Sequence, residues 1–248
     1  MKVALLGYGK MGQAIEKKAP DMGIEVVARI RSNATKAEWE AVEAADVCID
    51  FSHPDALVGN MEKALLLQKP AVVGTTGWYS DIDHIQALVT KHNLGIIYAQ
   101  NFAMGINLFM QIVAKAAQLI DGFNHYDVAV TETHHRHKVD SPSGTAHTIA
   151  DLLLENICRK EKICTELNGK KIAPNELHVS AIRLGAVPGT HTVIFNSDHD
   201  TITLTHQAHD RSIWAHGALE AAKWIRSKKG LFHINDMIES SRDGIKKP

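Results

Sequence analysis

The sequence predicts an α/β protein in two parts: a doubly wound parallel sheet, followed by an α+β domain on a mixed or antiparallel sheet. Three observations predict it. Over the first hundred residues, short apolar runs alternate with segments of helical periodicity, the pattern of right-handed crossovers in a parallel sheet. A glycine-rich turn follows the first of those runs and opens the first helical segment. Beyond Gly105 the chain turns to alternating strands joined by short turns such as Pro188-Gly189 and Asp198-His199-Asp200, as in a sheet with one covered face.

Taken in order, Lys2–Leu6 is a strand, and Met11, Ala14, Ile15, Lys18, Ala19 and Met22 fall at helical spacing before Gly23. Glu25–Ile30 and Val47–Phe51 read as strands, Ala56–Leu67 as a helix, Ala71–Val73 as a strand, Asp81–His92 as a helix and Leu94–Ala99 as a strand. Ile106–Ile120 makes one long apolar helix. Tyr126–Thr133, His178–Val187, Thr190–Ser197 and Thr201–His206 alternate as strands do. Among them lies one helix, Thr145–Cys158, with Ala146, Ile149, Ala150, Leu153 and Ile157 on a single stripe. A last helix, Ser212–Arg226, leads into the tail. The expected domains are 1–104, binding a dinucleotide, and 105–211, binding substrate and assembling the oligomer, with 212–248 packing back on the first and a cleft between the two. The stretch from Lys160 to Glu176 has no clear form.

A chain of 248 residues can bury a sizeable core. With 45% hydrophobic and 22% charged residues and a formal net charge of −1, it carries no basic field for nucleic acid or an anionic membrane. Cys48, Cys158 and Cys164 are odd in number and show no metal-ligand or CxxC spacing, which suits reduced thiols in a cytoplasm. No signal peptide precedes the first strand, and no apolar run approaches the roughly 20 residues of a membrane-spanning helix. The expectation is a cytoplasmic protein with no nucleic-acid or membrane partner. Fifteen histidines are the one compositional oddity.

Gly7-Tyr8-Gly9-Lys10-Met11-Gly12 is a full GxGxxG between a strand and a helix, the context of a Rossmann-type dinucleotide loop. Its glycines permit a tight turn and close approach of a pyrophosphate, and the helix N-terminus offers N–H donors. A glycine-rich turn without a ligand is the plain alternative. The second strand ends Ala28-Arg29-Ile30-Arg31-Ser32-Asn33 with no carboxylate for a ribose 2′-hydroxyl. Arg31 with Ser32 can instead bind a 2′-phosphate, so NADPH is the expected cofactor, with NADH possible; two solvated arginines are the other reading. Gly74-Thr75-Thr76-Gly77 and Asp50-Phe51-Ser52-His53-Pro54 each end a strand at the same sheet edge. Taken alone, each is a plain loop.

The densest chemistry lies in Glu132-Thr133-His134-His135-Arg136-His137-Lys138-Val139-Asp140-Ser141-Pro142-Ser143-Gly144-Thr145-Ala146. Strand alternation puts His134 and Arg136 on one side, His135 and His137 on the other. The N–H groups of Gly144 and Thr145, at a helix start, offer a carboxylate site. Lys138 suits a second carboxylate or a proton donation, and a histidine there suits a general acid. A metal site of His134, His135 and His137, a surface basic patch, and buried structural histidines are the competing readings; no metal is expected, and His137 reads as a bystander.

The pattern E-x-H-H-x-x-K-x-D-[AS]-P-S-G-T-A from Glu132 to Ala146 resembles that of the 4-hydroxy-tetrahydrodipicolinate reductase (dihydrodipicolinate reductase) family of lysine and diaminopimelate synthesis. Collinear matches are Gly74–Gly77, Ala99–Asn107, Gly189–Phe195, and His206 through Arg211 into Trp214 and Gly217-Ala218. The resemblance implies a reductase that adds a hydride from nicotinamide C4 and a proton to a small cyclic dicarboxylate. By the same resemblance, His134 is the proton donor and Lys138 a second donor and substrate anchor. His135, Gly144 and Thr145 hold substrate carboxylates. Gly7, Tyr8, Gly9, Lys10, Met11 and Gly12 line the cofactor, with Gly74, Thr75 and Thr76, and with Ala99, Gln100, Asn101 and Phe102. Family members are commonly homotetramers joined through the C-terminal sheet. The family's acidic residue after the second strand corresponds here to Arg31. An aspartate or semialdehyde dehydrogenase on the same plan explains the glycine loop but not the histidine motif; a non-catalytic NADPH sensor is the rival from another class.

Overall fold

Strand alternation along β1 (Lys2–Leu6) sorts its side chains onto two faces. Val3 and Leu5 point to one core, Ala4 and Leu6 to another, and all four are fully buried. A strand apolar on both sides belongs inside a parallel sheet covered by helices on both faces. The computed structural model describes residues 1–210 and 212–243. Arg211, within one family-like match and at the expected domain end, lies outside the described residues, as do residues 244–248 of the expected returning tail.

The chain continues through α1 (Lys10–Lys18), β2 (Glu25–Ile30), α2 (Lys36–Glu40), β3 (Val47–Asp50), α3 (Pro54–Leu66), β4 (Ala71–Val73), α4 (Ile82–His92) and β5 (Gly95–Tyr98). Next come α5 (Met104–Asp121), β6 (Asp127–His134), α6 (Gly144–Asn156), β7 (Lys162–Cys164), β8 (Glu176–Arg183), β9 (Thr190–Asn196) and β10 (Thr201–Gln207). The last described elements are α7 (Ser212–Ile225), β11 (Gly230–His233) and α8 (Ile234–Asp243).

Two compact units result: Met1–Met104 with the segment from Ser212, and Gly105 onward to the end of the second sheet. The first unit holds a six-stranded parallel sheet in the order β11-β5-β4-β3-β1-β2. Ala215, Leu219, Ala222 and Ile225 of α7 share one core with Ile15 of α1. Leu57, Met61 and Leu65 of α3 share the other with Ile85 and Val89 of α4. The strand order reverses between β1 and β3, so a crevice opens at their carboxyl ends, where open α/β sheets bind ligands.

The second unit holds a mixed sheet in the order β10-β9-β6-β8-β7. β6 runs antiparallel to β9 but parallel to β8, with His134 opposite Arg183 in the register. Val128, Val130, Glu132 and His134 of β6 are buried on one face. The strand thus runs through His134, one residue beyond the expected end, and alternation does not extend to Arg136 and His137.

Four elements escaped periodicity because they are short or follow the expected last helix: α2, β7, β11 and α8. For α2 the signal was present in the Thr35…Glu38 capping box, whose hydroxyl and carboxylate each bind the other residue's backbone N–H. The stretch around β7 is tied down by Lys160. This buried ammonium donates to the carbonyls of Pro174 (2.9 Å) and Glu176 (2.7 Å) and meets Asp127 at 2.6 Å.

Candidate active site

The glycine loop divides into two packing positions and one open one. Gly7 sits at φ +90°, where L side chains are strained, and a Cβ there would lie 2.4 Å from the Phe51 carbonyl oxygen. At Gly12 a Cβ would lie 2.5 Å from the Gly7 carbonyl oxygen, so α1 starts directly on the loop. Gly9 has nothing within 4 Å of such an atom. The fold does not need glycine at that position, whereas a phosphate approaching the backbone does. The loop lines a cleft of about 590 Å³ with Arg31, Ser32, Trp39, Ser52 and Lys63, at the switch point between β1 and β3. A second depression, about 420 Å³, is lined by Gly9, Lys10, Met11, Ser52, Gly74, Thr75 and Thr76. These residues fit a dinucleotide on the open side of Gly9.

Asp50 organises the loops beneath. It is fully buried at the end of β3 and accepts from Ser52 N (3.0 Å), Ser52 Oγ (2.8 Å), Thr75 Oγ1 (2.6 Å) and Asn60 Nδ2 (2.8 Å). Burial raises its carboxyl above the ordinary carboxylate range against the pull of those donors. Thr75 is therefore committed to the protein: its hydroxyl donates to Asp50 and accepts from Ser52 N at 2.8 Å. Thr76 is the exposed member of the pair. Ala99 and Phe102 are buried in the core, leaving only their backbone for a cofactor. Gln100 is exposed and Asn101 half-buried, its Oδ1 accepting from Ala103 N at 2.8 Å.

The two arginines of β2 and its exit differ. Arg29 is bound to Glu16, which also takes the Tyr8 hydroxyl. The guanidinium of Arg31 lies 5.3 Å above the Tyr8 ring and faces the cleft together with Ser32. Arg29 is engaged by Glu16, whereas Arg31 lines the cleft.

At the end of β6, His134 Nδ1 is hydrogen-bonded to Glu132, two residues earlier on the same buried face. Glu132 Oε1 accepts from the Ser143 backbone N–H at 3.1 Å and from Arg183 Nη2 at 2.9 Å. Burial pushes the Glu132 carboxyl up, but Arg183, His134 and the Ser143 N–H together outweigh it and hold it below the ordinary range. Arg183 Nε also donates to the Lys138 carbonyl at 3.2 Å and so anchors the following loop. The His191 ring packs edge-on against His134, with centroids 5.2 Å apart, and its Nε2 lies 3.3 Å from Ser143 Oγ. Glu132, His134 and His191 could supply metal ligands within 4.8 Å of one another. His135 and His137 are outside this group, unlike the trio considered from sequence. The Arg183 guanidinium already brings a positive charge to Glu132, which suits an oriented imidazole better than a metal.

The loop after His134 carries the anion-binding candidates. His135 is half-buried and His137 exposed. Both line a depression of about 760 Å³ with Gly185, Pro188 and His209. Lys138 Nζ is 2.8 Å from Asp140. Lys138 and the Gly144 N–H draw the Asp140 carboxyl below its usual range. Lys138 and the Gly144 N–H thus already face Asp140. Ser143 caps α6 by accepting from Ala146 N at 3.2 Å, with Gly144 and Thr145 in the first turn. Glu132, Arg183, Ser143 and His191 were not singled out in the sequence. Glu132 opens the histidine motif without a role of its own, and for Arg183 a charged residue inside an alternating strand was the signal.

Burial, followed by the charge on His134, lowers the His191 pKa from 6.5 to about 4. Between these values the unfolded chain binds a proton at this residue that the folded one does not, so this contribution is complete above pH 6.5 and falls toward pH 4. The expected loss is roughly 2 kcal/mol between pH 7 and pH 5. Urea unfolding at both values should show it in the native sequence and not in His191→Asn; equal pH dependence in the two would remove this assignment.

Comparisons with known proteins identify the family. Residues 1–102 match the family description "Dihydrodipicolinate reductase, N-terminus" and residues 105–238 match "Dihydrodipicolinate reductase, C-terminus". A 4-hydroxy-tetrahydrodipicolinate reductase of Christiangramia forsetii is 36% identical over 241 residues, covering 96% of this chain and 98% of that protein. One of Methanoregula boonei is 37% identical, covering 96% and 97%. A dipicolinate-bound dihydrodipicolinate reductase structure from Paenisporosarcina sp. TG-14 has the same fold, with TM-score 0.76, 23% identity and coverage of 94% and 97%. The chain belongs to the dihydrodipicolinate reductase family.

Proposed function

We propose that this chain reduces 4-hydroxy-tetrahydrodipicolinate to tetrahydrodipicolinate in diaminopimelate and lysine biosynthesis, with His134 as general acid and NADPH as the preferred reductant. The observation that carries the acid role is the buried contact between Glu132 and His134 Nδ1. It fixes the ring and leaves Nε2 to deliver a proton. A bound reduced pyridine nucleotide supplies the hydride from nicotinamide C4. With loss of the 4-hydroxyl as water, that hydride and the His134 proton add across the ring double bond. Lys138 and His135, with the N–H groups of Gly144 and Thr145, hold the two carboxylates. The positive His134 ring also favours the electron density developing on the adjacent atom.

Absorbance loss of NADPH with freshly made 4-hydroxy-tetrahydrodipicolinate tests the activity. Tight NADPH binding without consumption would favour the sensor reading. For the cofactor, Arg31→Glu should raise the Michaelis constant for NADPH by about 10- to 100-fold, the scale of a charged hydrogen bond, while that for NADH changes little. An equal rise for both would count against a 2′-phosphate site at Arg31.

The assembly we infer is a homotetramer built on the open face of the second sheet. That face carries Thr131, Thr192, Thr205 and the half-exposed Ile182, opposite the face that buries Val128, Val130 and Val193. Sedimentation equilibrium should return four times 27.2 kDa; a monomer at micromolar concentration would contradict it.

A further inference from the structure

The His134 ring is held on three sides. Glu132 takes Nδ1, His191 packs edge-on against the ring, and the third neighbour is Gly189 at the turn into β9. A Cβ at residue 189 would lie 2.9 Å from His134 Nε2, 3.3 Å from Cδ2 and 3.7 Å from Cε1. The first distance is closer than real side chains tolerate. The ring has little freedom to yield, because Glu132 is itself fixed by Arg183 and the Ser143 N–H, and His191 is buried. The turn is fixed as well: the Gly189 carbonyl accepts from Ala208 N at 2.9 Å, and Thr190 pairs with Thr133 next to His134.

Nδ1 being engaged, a proton leaving His134 leaves from Nε2. The volume that a side chain at 189 would fill adjoins that nitrogen. We infer that Gly189 is a positioning residue of the reductase: its missing side chain lets the turn into β9 lie against the His134 ring without displacing Nε2, the nitrogen that delivers the proton. The inference rests on His134 being the acid. The roles of two glycines thus differ, since Gly9 leaves room for a cofactor and Gly189 for the ring of the acid.

The test is a double-mutant cycle on the full chain with Gly189→Ala, His134→Gln and the pair. Gly189→Ala should lower kcat by about 100-fold, the lower end of a general acid's contribution, with the Michaelis constant for NADPH unchanged. In the His134→Gln background the same change should alter kcat by less than about threefold, because the group it obstructs is already absent. Equal losses in both backgrounds, or native turnover in Gly189→Ala, would overturn the proposal. Failure of the acid reading shows separately, as native turnover in His134→Gln alone. Should Gly189→Ala not fold, carbethoxylation of the native protein by diethyl pyrocarbonate, read by peptide mass spectrometry, decides instead. His134 should react, and dipicolinate should protect it; an unreactive or unprotected His134 overturns the inference.

Discussion

Replacing His134 by Gln is expected to lower kcat by about 10²- to 10⁴-fold, the range that a positioned general acid contributes. Gln can keep one contact of the imidazole, since its amide donates to Glu132 in place of Nδ1–H. The carboxylate is then not abandoned in a buried site, and the fold should survive with a thermal midpoint within a few degrees of native. What Gln lacks is a proton that can be given up near neutral pH. Turnover should therefore fall while NADPH binding, which we assign to residues of the other unit, stays as it was. Steady-state rates with circular dichroism as a folding control check this. Unchanged turnover would remove His134 as the acid and assign the proton to a water.

Arg183→Leu should produce the largest loss of stability. Glu132 has no side-chain exposure, and the Arg183 guanidinium is a charged partner 2.9 Å from its Oε1. Removing one member of a buried pair leaves the other charge uncompensated, at a cost of about 3–5 kcal/mol. The thermal midpoint should drop on the order of 10 °C. Arg183→Lys should not rescue it fully, because one ammonium cannot span Glu132 and the Lys138 and Asp140 carbonyls as the guanidinium does. The pH dependence also changes in a defined direction. Glu132 is held below its ordinary 4.5 in the folded chain, so its contribution is present above that pH and is lost as pH falls through the folded value. In Arg183→Leu that acid-side loss should shrink. A variant as stable as the native chain would mean that Glu132 is protonated or otherwise satisfied.

What could be read from sequence depended on how local its cause was. The Gly7–Gly12 turn, the strands from Lys2 to Val73 and the helix at Ala146 follow from patterns within a few residues, and their bounds moved by only one or two positions. Glu132 and His134 stood in one motif, but no local pattern marked Glu132 as the partner of Nδ1. Arg183 was not legible, because its place opposite His134 comes from the parallel register of β6 and β8, which no local pattern carries. His191 likewise arrives through the antiparallel pairing of β9, opposite Glu132. Thr75 had the expected place but another employment, since Asp50 captures its hydroxyl. Lys138 has a resident partner in Asp140. In both cases the type of side chain was readable and its competitor was not.

The return of the chain to its first sheet bears on the order in which the protein can be built. β5 gains its outer neighbour only from β11, and one face of the parallel sheet is covered by Ala215, Leu219, Ala222 and Ile225. On a ribosome, the first 104 residues emerge with the part of that face under α7 uncovered and that edge unpaired, whereas the 105–210 segment emerges as one contiguous stretch. The later-made unit can therefore complete itself first, and the earlier-made one must wait for the far end of the chain, reversing the usual N-terminal-first order of domain folding during synthesis.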